Sequence, residues 1–307
     1  MKILVTGGAG FIGTNFIRYW LQHHPGDEIT VLDNLTYAGK RENLDGLPIT
    51  FVKGDICDRG LVFRTMTGCD WVFHFAAESH VDRSITNAED FVTTNVYGTH
   101  VLLESARRWD ITKFVHISTD EVYGSNPFGE FREWDMLNPS SPYSATKAGS
   151  DLLALSYYKT YGLPVVITRS SNNYGAYQHS EKMIPTMILN ALQDKPLPVY
   201  GNGKNIRDWL YVDDNCAGID MVANRGTVGQ VYNIASQERM ENIIVVMRIL
   251  EYLDKPESLI TFVPDRPGHD VRYAISTEKI ERLGWKPKVK FEEGLRKTIR
   301  WYQERYR

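Results

Sequence analysis

Cysteine is scarce in this sequence: Cys57, Cys69 and Cys216 are the three in 307 residues, scattered and without Cys-x-x-Cys spacing. That excludes a disulfide framework and a cysteine-based zinc site, suits a reducing compartment, and makes the three read as buried small apolar residues. Long hydrophobic runs are missing too. The longest apolar stretches are strand-sized, far short of the ~18 residues that a membrane span needs, and Met1-Lys2 leads directly into Ile3-Leu4-Val5 without a signal-peptide layout. A cytosolic protein is expected. Nor does one charge dominate: 35 Lys and Arg stand against 38 Asp and Glu, a net of −3, so no global field would hold the chain on nucleic acid or an anionic membrane. Internal repeats and low-complexity linkers are absent. What remains is 42% hydrophobic and 24% charged residues, enough for one large core or for a large and a small domain.

Short apolar runs alternate with longer helical stretches through the first half: 3–6, 29–33, 49–52, 71–75, 114–118 and 165–169. Strands separated by helices imply right-handed βαβ units and a buried, doubly wound parallel sheet, an α/β fold. After about residue 170 the alternation loosens and Pro185, Pro196, Pro198, Gly201, Gly203, Pro264, Pro267 and Gly268 punctuate it. A smaller, loop-rich lobe is expected there, packed closely on the first. The expected division is 1–170, with a returning stretch at about 205–234, against 171–204 and 235–307. Near the end, Phe291, Leu295, Ile299 and Tyr302 recur at spacings of four, four and three, the apolar stripe of a packed helix.

Directly after the first strand stands Gly7-Gly8-Ala9-Gly10-Phe11-Ile12-Gly13. Glycines at 7, 10 and 13 allow a tight turn, bring backbone N–H groups close to a pyrophosphate and let helix pack on strand, while the helix N-terminus adds partial positive charge. A glycine pattern alone fits an ordinary turn equally well. Here it follows a strand, opens a helix, and is answered by Asp33 at the end of the next strand, 20 residues past Gly13. A carboxylate at that place accepts hydrogen bonds from ribose hydroxyls and repels a 2′-phosphate, so NAD is expected over NADP.

Another constellation follows the strand at 114–118, where the chain reads Ser118-Thr119-Asp120-Glu121-Val122-Tyr123-Gly124. Strand C-termini border the ligand crevice of a doubly wound sheet, which puts Thr119, Asp120 and Glu121 beside a substrate. Two adjacent carboxylates are often no more than a solvated loop. Ser141-Pro142, however, has the form of an N-cap with proline at the first helical position, and Tyr143 and Lys147 then share one face a turn apart. A tyrosine with free pKa about 10 is a poor base, but a nearby ammonium and a nicotinamide cation favour its phenolate, making Tyr143 a candidate proton acceptor during hydride transfer.

Together these motifs resemble the extended short-chain dehydrogenase/reductase family and, within it, the dTDP-glucose 4,6-dehydratases. Further carriers of the resemblance are Asp33-Asn34-Leu35-Thr36, Gly54-Asp55-Ile56, Ala76-Ala77-Glu78-Ser79, Ser171-Asn172-Asn173-Tyr174-Gly175 and Arg266-Pro267-Gly268-His269-Asp270. Thr119-Asp120-Glu121 is the most telling, because related 4-epimerases usually carry small or hydroxyl residues where the two carboxylates stand. The resemblance implies a Rossmann sheet, NAD retained through turnover, and dehydration of a nucleoside-diphosphate glucose to its 4-keto-6-deoxy product. Catalysis would fall to Thr119, Asp120, Glu121, Tyr143 and Lys147. The cofactor shell would be Gly7, Gly10, Phe11, Ile12, Gly13, Asp33, Asn34, Leu35, Thr36, Asp55, Ile56, Ala76, Ala77, Thr94 and Asn173, together with Tyr143 and Lys147. Substrate contacts would be Ser79, Thr119, Asn172, Lys182, Met183, Pro198, Val199, Tyr200, Arg207, Asn242, Asp265, Arg266, Pro267, Gly268 and His269. No metal is expected.

The cations Lys182, Arg207 and Arg266 suit a diphosphate, though long charged side chains are as often simply solvated. His74 and His116 lie in strand-like runs and are assigned no role. The resemblance also implies a homodimer in which the helix around 87–108 and the helix starting at Pro142 meet their symmetry mates, with Val92, Val96, Leu103, Leu152, Leu155 and Tyr158 supplying part of the contact. Ser276 and Ser236-Gln237-Glu238-Arg239 depart from the family pattern, which leaves the nucleotide base open between dTDP and UDP or GDP. A 4-epimerase and a non-catalytic dinucleotide-binding scaffold are weaker alternatives.

Overall fold

Residues 1–306 are described by a computed structural model of the chain. Seven strands form the main sheet: β1 (Lys2–Thr6), β2 (Glu28–Asp33), β3 (Ile49–Lys53), β4 (Trp71–His74), β5 (Lys113–Thr119), β6 (Val165–Ser170) and β10 (Val231–Ile234). Their order is β10-β6-β5-β4-β1-β2-β3, and every pairing is parallel. The chain therefore winds outward in both directions from β1, and the crevice opens where β1 meets β4.

Alternation along the strands feeds two cores. Ile3, Val5, Val31, Phe73 and Val115 face the helices Phe11–His23 and Val212–Arg225. Leu4, Leu32, Val72, Phe114 and Val165 face the opposite layer, built from Thr99–Arg108 and Pro142–Tyr161. The first of those two continues without a break from Glu89, but over Val92–Gly98 it is wound wider, with i→i+5 bonding, and Thr94 of that stretch lines the crevice.

Two small sheets make up the rest. In one, β9 (Ile206–Tyr211) lies between β7 (Asn172–Tyr174) and β11 (Arg239–Glu241); in the other, β8 (Leu197–Tyr200) pairs with β12 (Ile260–Val263). Their core gathers Tyr174, Trp209, Ile188 and Ile249 together with Phe291, Leu295, Ile299 and Tyr302, all four on the helix Phe291–Arg305. The spacing of that stripe thus reports packing. After β9 the chain returns to the main sheet through the helix Val212–Arg225, which packs on Phe11–His23, and ends there in β10.

Two expectations need correcting. Cys57 and Cys69 are half-buried, and only Cys216 is buried, because the first two sit at the margins of their core. Leu103 is fully enclosed in the core of its own chain and has no surface to offer a partner, whereas Val92 and Leu152 are more than half exposed. Among the described residues no helix is long and apolar enough to cross a membrane.

Candidate active site

At the C-terminal edge of the sheet the glycine turn is set by close approach. Gly7 has φ +70°, and a Cβ there would lie 2.5 Å from the Ala76 backbone nitrogen. At Gly13 a Cβ would lie 2.4 Å from the Gly7 carbonyl oxygen. Only hydrogen fits at either place. Asp33, almost fully buried, accepts the Ala9 N–H through Oδ2 and the Leu35 N–H through Oδ1, both at 2.8 Å, so the carboxylate also ties the turn after β2 to the glycine loop.

A cavity runs from this loop across the crevice. Its wall includes Gly7, Gly10, Phe11, Ile12, Gly13, Asp33, Asn34, Thr36, Asp55, Ile56, Ala76, Ala77, Thr94 and Asn173, and it ends at Thr119, Asp120, Glu121, Tyr143 and Lys147. An adjoining cavity is walled by Met183, Pro198, Val199, Tyr200, Arg207, Asn242, Arg266 and His269. Glu121, Asn172, Asn173 and Lys182 belong to both, so the carboxylate pair stands at the junction.

Local sequence explains how these groups are held. Ser141 caps the helix Pro142–Tyr161 through a capping box with Ser144, and Pro142 opens its first turn. Thr119 ends β5 and its Oγ1 accepts the Glu121 N–H at 3.3 Å, starting the single helical turn Asp120–Tyr123. Asp120 turns inward and is buried, with Oδ2 meeting no hydrogen-bond partner. Burial first, then the neighbouring Glu121 and Asp208 carboxylates, push its carboxyl well above the usual range. Burial also raises Glu121, but Arg266, Lys182 and Arg207 oppose that rise.

The Tyr143 phenol lies at the inner end of the first cavity. Burial, then the Glu121 carboxylate, hold it well above its ordinary value, and the Lys147 ammonium does not offset them. Lys147 instead donates to the Ile117 carbonyl oxygen at 2.7 Å, and burial pulls the amine down to about 8.

Four expected contacts fall outside the two walls. Leu35 turns at φ 53° and packs on the core behind β2. Asp265, Pro267 and Gly268 are exposed and shape the turn that presents Arg266 and His269. Asp265 takes the His269 Nδ1 at 2.6 Å and the Arg266 N–H at 2.9 Å, and a Cβ on Gly268 would meet the Ser140 oxygen at 2.8 Å. Other wall residues were not anticipated: Tyr37, Glu78, His80, Gln178, Asp82 and Trp209. Trp209 was available from strand alternation, two positions past Arg207 on β9. Gln178 gave no signal, being one polar residue in a loop.

The polar fit is open-handed. Asn172 Oδ1, Asn173 Oδ1, Asn242 Oδ1 and Arg266 Nε are buried without partners, all on the cavity walls. Lys182 Nζ donates to the Ser79 carbonyl oxygen at 2.7 Å, and Arg207 Nη2 to that of Asp270 at 2.9 Å, which fixes both cations beside the junction. Among the described residues no three His, Cys, Asp or Glu side chains gather as a metal site.

A parallel sheet wound outward from a glycine-lined crevice, with a Tyr-x-x-x-Lys helix at its mouth, defines the short-chain dehydrogenase/reductase class. The sequence model described as "GDP-mannose 4,6 dehydratase" matches residues 4–298, and the chain belongs to that family. A protein of Haloferax volcanii described as low-salt glycan biosynthesis protein Agl12 is 52% identical over 306 residues, covering 98% of each chain. The dTDP-glucose 4,6-dehydratase of Haemophilus influenzae is 49% identical over 331 residues, covering 98% of each. Among solved structures, the dTDP-glucose 4,6-dehydratase DesIV of Streptomyces venezuelae, with NAD bound, superposes with a TM-score of 0.97 at 49% identity, covering 99% of this chain and 97% of that one.

Proposed function

We propose that the chain is an NAD-dependent hydro-lyase that converts dTDP-glucose to its 4-keto-6-deoxy product. The observation that carries this reading is the carboxyl pair Asp120 and Glu121 at the inner end of the first cavity, Glu121 also lining the second, with Asp120 pushed well above the usual range and the rise of Glu121 opposed by three cations. Dinucleotide fit is supported by the Gly7 and Gly13 cradle, which a Cβ would fill, and by the Asp33 carboxylate on its wall. When bound, NAD supplies the hydride acceptor for sugar C4 and the donor for C6, and so is regenerated.

The chain's own residues do the rest. Tyr143 accepts the proton of the sugar 4-hydroxyl while Thr119 hydrogen-bonds the 4-oxygen, and Lys147 holds the nicotinamide ribose. The ketone formed at C4 acidifies the C5 proton. Glu121 removes that proton and Asp120 gives its own to the departing C6 hydroxyl, so water leaves and a C5–C6 double bond forms. Reprotonation at C5 completes the product. Lys182, Arg207 and Arg266 face the second cavity as cations suited to a diphosphate. In this reading 1–170 carries the dinucleotide together with a return that begins after β9, at 212–234 rather than at 205, and 171–211 with 235–307, which includes Arg207, carries the nucleotide sugar. The protein works in the cytoplasm as a homodimer, with Val92 and Leu152 as exposed apolar positions for the contact.

Substrate deuterated at C4 tests the reaction: the label should appear at C6 of the product. Retention at C4 or loss to solvent refutes it. Parallel kcat/KM values with dTDP-, UDP- and GDP-linked sugars test the base, with dTDP expected to lead.

A further inference from the structure

Tyr143 and Lys147 are the first two members of a longer stripe. On the helix Pro142–Tyr161 the side chain four residues beyond Lys147 is Asp151, so Tyr143, Lys147 and Asp151 stand on one face at successive turns, and all three are buried. The roles argued above use the first two and leave a fully enclosed carboxylate unexplained.

Its surroundings are charged from three sides. From β6, Arg169 Nε reaches Asp151 Oδ2 at 2.8 Å. From β5, His116 Nε2 lies 3.3 Å from Oδ1 and 3.1 Å from the Ser150 hydroxyl. From β4, His74 stacks near His116, ring centres 5.3 Å apart. Burial pushes both imidazoles down, and at His116 the Asp151 carboxylate opposes that fall. Arg169 is anchored at its far end to the Tyr123 hydroxyl at 2.8 Å, away from Lys147. Toward the cavity, the charges facing Tyr143 are Glu121 and Asp120. Lys147 itself reaches only a backbone carbonyl, that of Ile117.

We propose that Asp151 is a positioning residue for Lys147, one turn deeper on the same helix face, and that it keeps the lysine a cation where it meets Tyr143 and the cofactor. The inference rests on the catalytic reading of Lys147 given above. An ammonium enclosed this fully loses its hydration, and burial has already drawn it down to about 8, with Asp151 the one charge opposing that fall. Asp151 itself stays ionised: burial works against it, but Arg169 and His116 outweigh burial and hold it at about 2. The ion pair with Arg169 thus anchors a negative charge where Lys147 needs one.

The test is titration of Lys147 in NAD-loaded protein carrying 13Cε-lysine, with the resonance assigned by its loss in Lys147→Arg. Asp151→Asn alone strands the Arg169 cation in the interior, so the informative variant is Asp151→Asn with Arg169→Gln, which removes both charges of the buried pair. Arg169→Gln alone is the comparison. The double variant should lower the Lys147 midpoint by about one to two pH units, the size expected of one charge a helical turn away, while Arg169→Gln, which leaves Asp151 in place but removes the cation that keeps it ionised, should lower it by less. The high-pH limb of C4 oxidation should move down by the same amount. A Lys147 midpoint unchanged in the folded double variant overturns the proposal, since a purely structural Asp151 would leave the titration alone. Should the midpoint fall while Lys147→Met turns over like the parent, Asp151 still governs Lys147, and it is the catalytic role of Lys147 that fails.

Discussion

Replacing Glu121 by Gln separates the two halves of the proposed reaction. The change is isosteric and leaves Tyr143, Lys147 and the glycine loop untouched, but it deletes the carboxylate that faces Arg266, Lys182 and Arg207. Loss of a general base commonly costs ~10²–10⁴-fold. That is about 2.7–5.4 kcal/mol of barrier, placed wholly on the C5 deprotonation step. Oxidation at C4 should respond in the opposite direction. After burial, the Glu121 carboxylate is the largest influence keeping the Tyr143 phenol protonated, so its removal makes Tyr143 a readier proton acceptor. Stopped-flow mixing of the NAD-loaded variant with dTDP-glucose should therefore show NADH absorbance rising as fast as in the parent and then persisting, because the step that drains it has slowed. A variant with parental turnover, or one in which NADH never rises, would refute the assignment of Glu121 as the C5 base.

Gly13→Ala drives a methyl group to 2.4 Å from the Gly7 oxygen and 2.7 Å from the Gly8 Cα, both backbone atoms, so calorimetry should find ~1–3 kcal/mol less stability and titration a weaker hold on NAD. Asp33→Ser removes two buried acceptors as well as the charge facing a ribose; NAD should bind more weakly, and the preference over NADP should shrink, an outcome that dinucleotide titrations with each cofactor can deny by returning the parental ratio. Val92→Glu combined with Leu152→Glu charges two exposed apolar positions, and light scattering at micromolar concentration should then give a monomer where the parent gives a dimer.

Legibility of the molecule from its sequence followed the range of the interactions involved. Six of the seven strands of the main sheet were readable because each is a short apolar run closed by a turn, whereas β10 was legible only as part of a returning stretch; the Phe291–Arg305 helix was readable because its stripe repeats at helical spacing. The glycine loop, Asp33, Tyr143 and Lys147 were readable for the same reason: their geometry is local to one turn of chain. What escaped depends on contacts distant in sequence. Nothing near Leu103 tells that the sheet covers it, and nothing in 265–268 tells that only Arg266 reaches the cavity while Asp265 and Gly268 hold the turn. Equally distant is the partner of Lys147, which lies one turn from Tyr143 but gives its hydrogen bond to the Ile117 carbonyl across the helix–sheet interface.

The carboxyl pair shows most sharply how position overrides identity. Asp120 and Glu121 are adjacent, and two adjacent carboxylates on an extended loop would titrate nearly alike. Thr119 prevents this: still extended at φ −138° and ψ 153°, it accepts the Glu121 N–H and bends the chain at once into the turn Asp120–Tyr123. Asp120 is thereby turned inward, where burial and the Glu121 and Asp208 carboxylates outweigh the Arg207 cation and where its Oδ2 has no partner. Glu121 is swung outward to three cations borne by the smaller lobe. Elimination needs an acid and a base within reach of neighbouring carbons, and a single turn of chain at a strand end gives two residues of the same chemistry different surroundings. The same geometry ties the reaction to the second lobe, since Lys182, Arg207 and Arg266 are what opposes the rise that burial imposes on Glu121.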